Sequence, residues 1–447
     1  MDLLLRFRVL AGLALLVGGA CAAGEAGLTA PAIYTETVHY ADKAANGGER
    51  YPSGAALLLV SGGQKRPLVP GFAASADAAV SFDGLRILFS GKQKPNDSWQ
   101  IWEVALRGGT PRRLPTDKSD AITPFYLPGD RIVYSRRTPS GFQIMTMALD
   151  GGAPQQLTFA LGDHVVTDVL RDGRILFEAA HPAANSPIRD IFAVYSDGSG
   201  VETYRCDHGR DRYAGMEVAS GDIVFNTSGR YARFTSPKAV QVELPAASGQ
   251  FAGRAAELSP GELLVSWRPG ESGPYGLYRW KPGTAPEKVL VTTTDAVQPV
   301  IVRPHAVPKR HPSALGDRDG ANLLCLNVYS SKLKIAPGSV ATVRVVALDD
   351  AGSPVVLGLA PVAADGSFFV NPPSERAIRF ELLDRSGRIV AAEQGWFWAR
   401  RGEQRVCVGC HAGPERAPEN AVPATLLHST DPVRLRLPGG RAHGGSK

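Results

Sequence analysis

The sequence has little of what disulfide-stabilised, membrane-spanning or nucleic-acid-binding proteins need. It has only 5 Cys in 447 residues, which is too few for a disulfide framework. The net charge of +6 is mild for this length and gives no nucleic-acid footprint. Beyond the N-terminus, no apolar run approaches transmembrane length. With 44% hydrophobic and 21% charged residues, the composition excludes disordered and collagen-like chains and fits a globular protein.

The N-terminal segment predicts export. Arg6 and Arg8 precede nine apolar residues, and small residues follow, as in a cleaved signal peptide covering residues 1–23. Nine apolar residues are too few to span a bilayer. A lipoprotein acylated at Cys21 is the alternative, although Gly18 stands where such signals carry a larger aliphatic residue. We therefore expect a periplasmic protein, either released or anchored by lipid.

A repeat with a period in the forties runs through the first two thirds of the chain. Each unit has a Gly-containing turn that opens an apolar strand, followed by a second strand and another turn. Trp102, Met145 and Phe192 occupy equivalent positions, 43 and 47 residues apart. Several short strands per unit at this period are typical of propeller blades. We predict an all-β fold with a six-bladed propeller over residues 28–305; an open pair of β-sandwiches is the alternative.

A third strand pattern precedes these two strands in some of the repeat units. It occurs at residues 120–127, 163–170 and 295–302. The last copy has no blade of its own after it. We predict that it completes the N-terminal blade, because closing the ring removes exposed sheet edges. Residues 57–69 match the second element without a clear first one, and residues 239–244 read as a degenerate copy.

The rest of the chain divides into three parts. Residues 306–321 lie in a polar stretch rich in Pro and Gly, which predicts a linker. Short strands with turn signals between them predict a small β-sandwich over residues 322–400. Residues 401–447 form a short C-terminal segment and a tail.

That segment contains the strongest motif, CVGCH at residues 407–411. Cys-x-x-Cys-His is the attachment site of c-type haem. We predict that the thiols of Cys407 and Cys410 add to the two haem vinyl groups, and that His411 is an axial iron ligand. The alternatives are a Cys407–Cys410 disulfide, half of a zinc site, or a redox pair. No second CxxC completes a zinc ribbon.

Only 36 residues follow His411, and none is Met. A small helical cytochrome c is therefore excluded, and we expect a short irregular segment that packs on the sandwich, the propeller or both. The sixth iron ligand stays open. A second His would give a low-potential carrier, and a vacant position would allow small molecules to bind. Candidates are His311, His305, His428, His443, Met145, Met147 and Met216.

Other residues suggest secondary roles. Cys206 and His208 flank Asp207 between blade strands and form a candidate second metal site or haem-facing site; an incidental loop thiol is the alternative. Cys325 alternates with apolar residues and reads as a core thiol. Asp83 and Asp172 are expected to cap turns. Trp396 and Trp398 are expected to pack or to stack near the porphyrin. Arg400, Arg401, Arg405 and Arg416 form either a solvated surface or partners for haem propionates and an acidic redox protein.

The order of these parts resembles the hydrazine synthase alpha subunit family. The stretches that carry the resemblance are ADGSFFVNPP (364–373), ELLDRSGR (381–388), WFWARRGEQRVCVGCH (396–411) and PERAPEN (414–420), after a TolB-like propeller. The resemblance implies a haem in the middle domain, held in the family through a downstream tyrosine, with the motif histidine facing a zinc bound by a propeller cysteine. Here no tyrosine follows Cys410, which favours His411 as iron ligand; Cys206 would match the zinc cysteine.

We therefore predict an exported mono-haem c-type cytochrome that transfers electrons in the periplasm or serves as the redox subunit of a complex. The resemblance implies one alternative, a haem enzyme acting on a small nitrogen or oxygen species. A second alternative is a propeller-based binding module in which the haem is ancillary. Expected partners are a redox protein or other subunits, without nucleic acid or a transmembrane helix.

Overall fold

The structure, a computed structural model, describes residues 28–41, 49–51, 54–181, 188–205, 210–235, 240–246, 248–393, 395–409 and 420–438. The predicted signal peptide and Cys21 lie outside these ranges. Within them the chain forms 32 strands and one short helix, α1 (Ala424–His428). The all-β fold class is therefore confirmed. No helix in the described part of the chain is long and apolar enough to cross a membrane.

Six four-stranded antiparallel sheets form the first part of the chain. Their inner strands contact one another in cyclic order, so the sheets are the blades of a six-bladed propeller. Blade 1 contains β1 (Ala32–Thr37), β2 (Ala56–Ser61), β3 (Gln64–Pro67) and β24 (Asp295–Ile301). Blade 2 contains β4 (Ala74–Val80), β5 (Arg86–Lys92), β6 (Gln100–Ala105) and β7 (Arg112–Arg113). Blade 3 contains β8 (Ala121–Leu127), β9 (Arg131–Thr138), β10 (Gly141–Ala148) and β11 (Gln155–Gln156).

In the other three blades, as in blades 2 and 3, the strands follow chain order from the innermost strand to the outermost. Blade 4 contains β12 (His164–Val169), β13 (Ile175–His181), β14 (Ile188–Val194) and β15 (Glu202–Thr203). Blade 5 contains β16 (Tyr213–Glu217), β17 (Ile223–Thr227), β18 (Arg230–Thr235) and β19 (Val240–Glu243). Blade 6 contains β20 (Gln250–Ser259), β21 (Glu262–Arg268), β22 (Gly276–Trp280) and β23 (Glu287–Leu290). The segment interpreted as a degenerate copy at 239–244 contains only β19, the outer strand of blade 5.

The two ends of the propeller meet in blade 1. Its inner strand β24 pairs with β1, with Ile301 opposite Ala32, as the sequence predicted. The buried Asp295 carboxylate fixes this junction, because its two oxygens accept the backbone N–H groups of Tyr40 and Tyr275, each at 2.9 Å. One side chain thus links blade 6 to the first blade.

We expect Asp295→Ala to lower the free energy of unfolding by about 2–4 kcal/mol. The substitution leaves two amide N–H groups without this acceptor, and each unmade buried hydrogen bond costs about 1–3 kcal/mol. Asp295→Asn keeps one acceptor oxygen and is expected to lose about half as much. Urea unfolding followed by tryptophan fluorescence compares the variants; an Ala variant as stable as the wild type would contradict this account of closure.

Aspartates close turns as predicted. Asp83 Oδ1 accepts the N–H of Leu85, and Asp172 Oδ1 accepts the N–H of Arg174, both at 3.0 Å. A short side chain that accepts the amide two residues on stabilises a tight turn.

The segment after β24 lies across one face of the propeller. It contains no strand between residues 302 and 321. Its backbone donates from His305 to the Phe82 carbonyl and from Lys309 to the Arg171 carbonyl, both at 3.0 Å. The approach is so close that a Cβ on Gly173 would lie 2.1 Å from the Lys309 oxygen. The segment thus follows the turns that come after the inner strands.

Two more four-stranded sheets form the second part of the chain. One has the order β31–β25–β28–β32 and the other β27–β26–β29–β30. They face each other over one core, to which Leu323 and Val370 contribute from the first sheet and Val343 and Leu382 from the second. The strands are β25 (Asn322–Cys325), β26 (Thr342–Leu348), β27 (Pro354–Pro361), β28 (Phe368–Asn371), β29 (Ile378–Leu383), β30 (Ile389–Ala392), β31 (Gln404–Cys407) and β32 (Val433–Arg434).

The C-terminal segment differs from the irregular appendage that the sequence suggested. Two of its stretches, β31 and β32, are the edge strands of the first sandwich sheet. β31 runs parallel to β25, and β32 runs parallel to β28. These pairings join residues far apart in the sequence, so no local turn signal reveals them.

The sandwich packs against blades 3 and 4. The indole N–H of Trp398 donates to the Leu157 carbonyl at 3.0 Å, and its ring meets the His164 ring edge-on, with centroids 5.6 Å apart. Arg400 donates from Nη1 to the Gln156 carbonyl at 2.8 Å. Trp398 is therefore a buried packing residue of the interface between the two parts.

Candidate haem-attachment site

Cys407 is the last residue of the edge strand β31. It stands opposite Cys325 in the parallel register with β25, and its carbonyl accepts the N–H of Leu326 at 2.9 Å. Cys325 is buried in the sandwich core, which confirms the core thiol that was predicted. Cys407 is partly exposed and forms no disulfide. The structure thus presents one motif thiol at the rim of a packed sheet.

The second spacer of the motif, Gly409, lies against the loop that follows β25. A Cβ at this position would lie 2.1 Å from the Ser330 carbonyl oxygen and 2.6 Å from that of Asn327. Real Cβ atoms do not come so close to backbone atoms. The loop itself is shaped by Asn327, whose side-chain oxygen accepts the N–H of Tyr329 at 2.8 Å. The glycine therefore lets the motif backbone rest on this loop.

The described half of the motif fits covalent haem attachment. A thioether needs a thiol that is reachable from outside and not consumed in a disulfide, and Cys407 meets both conditions. Desolvation by burial raises the pKa of the Cys407 thiol. Cys410 and His411 lie outside the described residues, so their roles stay predictions.

A buried carboxylate holds the start of the motif strand. Glu403 accepts the backbone N–H of Arg400 at 2.7 Å and, across the interface, that of Gly200 at 3.0 Å. It also forms an ion pair with Arg405 at 2.7 Å. The side chains of Glu403 and Arg405 are 6% and 14% exposed, so this pair is well shielded from water. Glu403 therefore ties the start of β31 to the propeller.

The arginines near the motif are mostly engaged by the protein itself. Arg400 is buried against the propeller and pairs with Glu375 at 3.2 Å. Arg401 forms an exposed pair with Asp319 at 2.9 Å. Arg416 lies outside the described residues. Arg400 and Arg405 thus act first as structural ties, and Arg401 is the solvated member of the group.

The candidates for a sixth iron ligand are scattered. His311 contacts the Asp172 carbonyl oxygen through Nε2, and its ring packs edge-on against Tyr195 with centroids 4.8 Å apart. His305 packs on Phe82, and His428 ends the exposed helix α1. Three candidates are buried in apolar clusters of the propeller and read as packing residues: Met145, Met147 and Met216. His443 lies outside the described residues.

The second candidate metal site, Cys206 with His208, also lies outside the described residues. Within the described part of the chain, no group of three or more His, Cys, Asp and Glu side chains is arranged to hold a metal ion. The zinc that the family resemblance implied stays a prediction.

Sequence reasoning missed Glu403 and the need for glycine at position 409. Glu403 lacks any pattern that distinguishes it from other acidic residues near a turn. Gly409 reads as an arbitrary spacer until its contact with Ser330 is known. The interface residue His164 was missed because neither its spacing nor its neighbours mark a site.

Comparison with known proteins agrees with this architecture. Residues 334–412, which include the whole CVGCH motif, match the hydrazine synthase alpha subunit middle domain. The fold is similar to that of Kuenenia stuttgartiensis hydrazine synthase, with a TM-score of 0.77 and 17% identity over 90% of this chain and 71% of that one. TolB from Acinetobacter baumannii is 15% identical, with a TM-score of 0.46 over 62% of this chain and 68% of its own.

No curated protein matches the sequence. The family match covers most of the sandwich and the CVGCH motif, and the similar fold extends over both parts of the chain. Residues 334–412 are therefore similar to the hydrazine synthase alpha subunit middle domain, and the fold of the chain is similar to that of hydrazine synthase.

Proposed function

We propose that this protein is an exported mono-haem c-type cytochrome that transfers electrons as one subunit of a larger redox assembly. The single observation that carries the proposal is the CVGCH motif, with Cys407 reachable at the end of an edge strand. The match of residues 334–412 to a domain of a subunit supports the assembly.

In this proposal the haem, when bound, supplies a centre that gains and loses one electron. The chain's own residues would hold it: Cys407 and Cys410 by thioether bonds and His411 at the iron. The parallel pairing of β31, the Gly409 contact and the Glu403 anchor keep Cys407 in a fixed place. Sites on rigid elements hold their geometry better than sites on loops.

Haem attachment is tested by comparing the wild type with Cys407→Ala/Cys410→Ala after expression with a c-type maturation system. We expect haem staining on a denaturing gel for the wild type and none for the double variant. Cys325→Ala is the matched control, because it removes a thiol outside the motif, and it should keep the stain. Equal staining of the double variant and the wild type would refute the proposal.

The family relationship favours a second candidate, a haem enzyme acting on a small nitrogen or oxygen species. Carbon monoxide added to the reduced protein separates the two. A prompt shift of the absorption bands indicates an open iron position and supports the enzyme; an unchanged spectrum indicates six-coordinate iron and supports the carrier.

Export and anchoring belong to the same proposal, because c-type haem is attached outside the cytoplasm. Intact-mass analysis of the mature protein decides between cleavage near Ala23 and acylation of Cys21. A chain that retains residues 1–23 unmodified in the cytoplasm would contradict both.

A third candidate function is a binding module, in which the propeller binds a partner and the haem is ancillary. Partner capture that persists in the Cys407→Ala/Cys410→Ala variant would support it.

A further inference from the structure

A cavity of about 110 Å³ lies at the centre of the propeller ring. All six blades contribute to its wall, and Asp163 and Tyr213 stand where two inner strands begin. The segment after β24 crosses the turns at the other ends of the inner strands. The cavity therefore lies toward the face that this segment does not cover.

The inner strands are distorted where they line the cavity. Register shifts interrupt their pairing in every blade. Non-glycine residues at four of these shifts have left-handed backbone: Asp77, Thr123, Ala214 and Gln298. Such conformations cost of order 1–3 kcal/mol each and concentrate where a site needs them, and bulges re-aim side chains. Here they turn polar groups of the inner strands toward the ring centre.

Four of the five carboxylates in the wall accept backbone amides, and the fifth, Glu49, accepts the indole N–H of Trp99. Asp77 accepts the N–H of Thr123 at 3.3 Å, and Glu178 accepts that of Ala214 at 2.8 Å. Asp163 accepts the N–H of Phe142, and Asp120 accepts that of Trp99. These acids brace neighbouring backbone, so much of their accepting capacity is already used.

The wall retains hydrogen-bond donors that the protein does not use. Arg137 forms an ion pair with Asp120 through Nε at 3.6 Å, and its guanidinium lies 4.0 Å from the centre of the Phe142 ring; its side chain makes no hydrogen bond to any described residue. Arg254 binds Asp168 through Nη2 at 2.8 Å, and its buried Nε has no partner. The Thr167 hydroxyl, in a residue 7% exposed, is also buried without a partner.

We propose that this cavity binds a small monocarboxylate. A guanidinium presents its donors in a planar fork that matches a carboxylate, and charge-assisted hydrogen bonds of this kind are strong. Arg137, Arg254 and Thr167 would supply the donors, and the cavity volume limits the ligand to a few heavy atoms. No residue of β31 lines the cavity, so this inference does not depend on the proposed function.

Acetate is the probe, used with the full-length protein in isothermal titration calorimetry. We expect saturable binding to the wild type, weakened at least about tenfold by Arg137→Gln and by Thr167→Val, since a hydrogen bond to a charged group supports such a loss. Arg136→Gln is the matched control. Arg136 immediately precedes Arg137 on β9, but it pairs with Asp117 and does not line the cavity. It should bind acetate within about twofold of the wild type.

Sodium chloride and methylammonium chloride, titrated in place of acetate at equal ionic strength, are the control ligands. They distinguish binding of a carboxylate from a general effect of salt. Saturable heat with acetate alone supports the proposal. Absence of saturable binding in the wild type, equal binding by all variants, or equal heat from chloride would overturn it and leave a cavity filled by water only. Circular dichroism on each variant verifies that the propeller is folded, and Thr167→Val keeps the test valid if the arginine variant unfolds.

Discussion

Replacing Glu403 by alanine is expected to destabilise the protein by about 3–5 kcal/mol, because removing one member of a buried ion pair leaves the other charge unpaired. The change removes the partner of Arg405 and the acceptor of two backbone amides, those of Arg400 and Gly200. It also removes a direct hydrogen bond between the propeller and the segment that leads into β31. Urea unfolding monitored by tryptophan fluorescence gives the size of the loss.

Two further variants show whether the loss comes from the buried network. Glu403→Gln keeps one accepting oxygen and is expected to recover part of the stability. Arg401→Ala breaks the neighbouring exposed pair with Asp319 and is expected to cost no more than about 1 kcal/mol. If Glu403→Ala were no worse than Arg401→Ala, the anchoring role of Glu403 would be wrong.

Gly409→Ala is expected to abolish most covalent haem attachment while leaving the propeller folded. The added Cβ would stand 2.1 Å from the Ser330 carbonyl oxygen, so either the motif or the loop beneath it must move. Overpacking of this kind typically costs about 1–3 kcal/mol, and here the displacement falls directly between the two motif cysteines. The measurement is the ratio of haem to protein in purified material, by pyridine haemochrome absorbance.

Val408→Ala is the matched control for that experiment. It changes the other spacer residue by removing atoms, so it creates no clash, and we expect haem loading close to that of the wild type. Similar loading of the Gly409→Ala and wild-type proteins would mean that the backbone contact with Ser330 does not position the motif.

The parts of the fold that repeat could be predicted from the sequence. Gly-containing turns followed by apolar strands recur in each blade, and β24 was recognisable as a strand without a following blade. The inner strands β4, β16 and β20 were not found. They are rich in Ala and Gly and have few of the β-branched residues that mark a strand, unlike β8, β12 and β24.

The sequence predicts the chemistry of the candidate site, but it does not predict the contacts that hold the site in the fold. The spacing of Cys407, Cys410 and His411 is a covalent requirement and can be read from five letters. The parallel pairing of Cys407 with Cys325 joins residues 82 positions apart, and the Glu403 contact with Gly200 joins 203. Such contacts depend on the whole fold, so no local pattern indicates them.

The position of β24 also governs the order of folding. During synthesis from the N-terminus, blade 1 lacks its inner strand until Asp295–Ile301 has emerged, and the pairing with β1 must then bridge more than 250 residues. Contacts of such sequence separation form slowly. The incomplete ring therefore exposes an unpaired β1 edge until β24 has been synthesised. Dependence of folding on chaperones would follow from this open edge, and β31, which carries Cys407, is synthesised only after the ring is able to close.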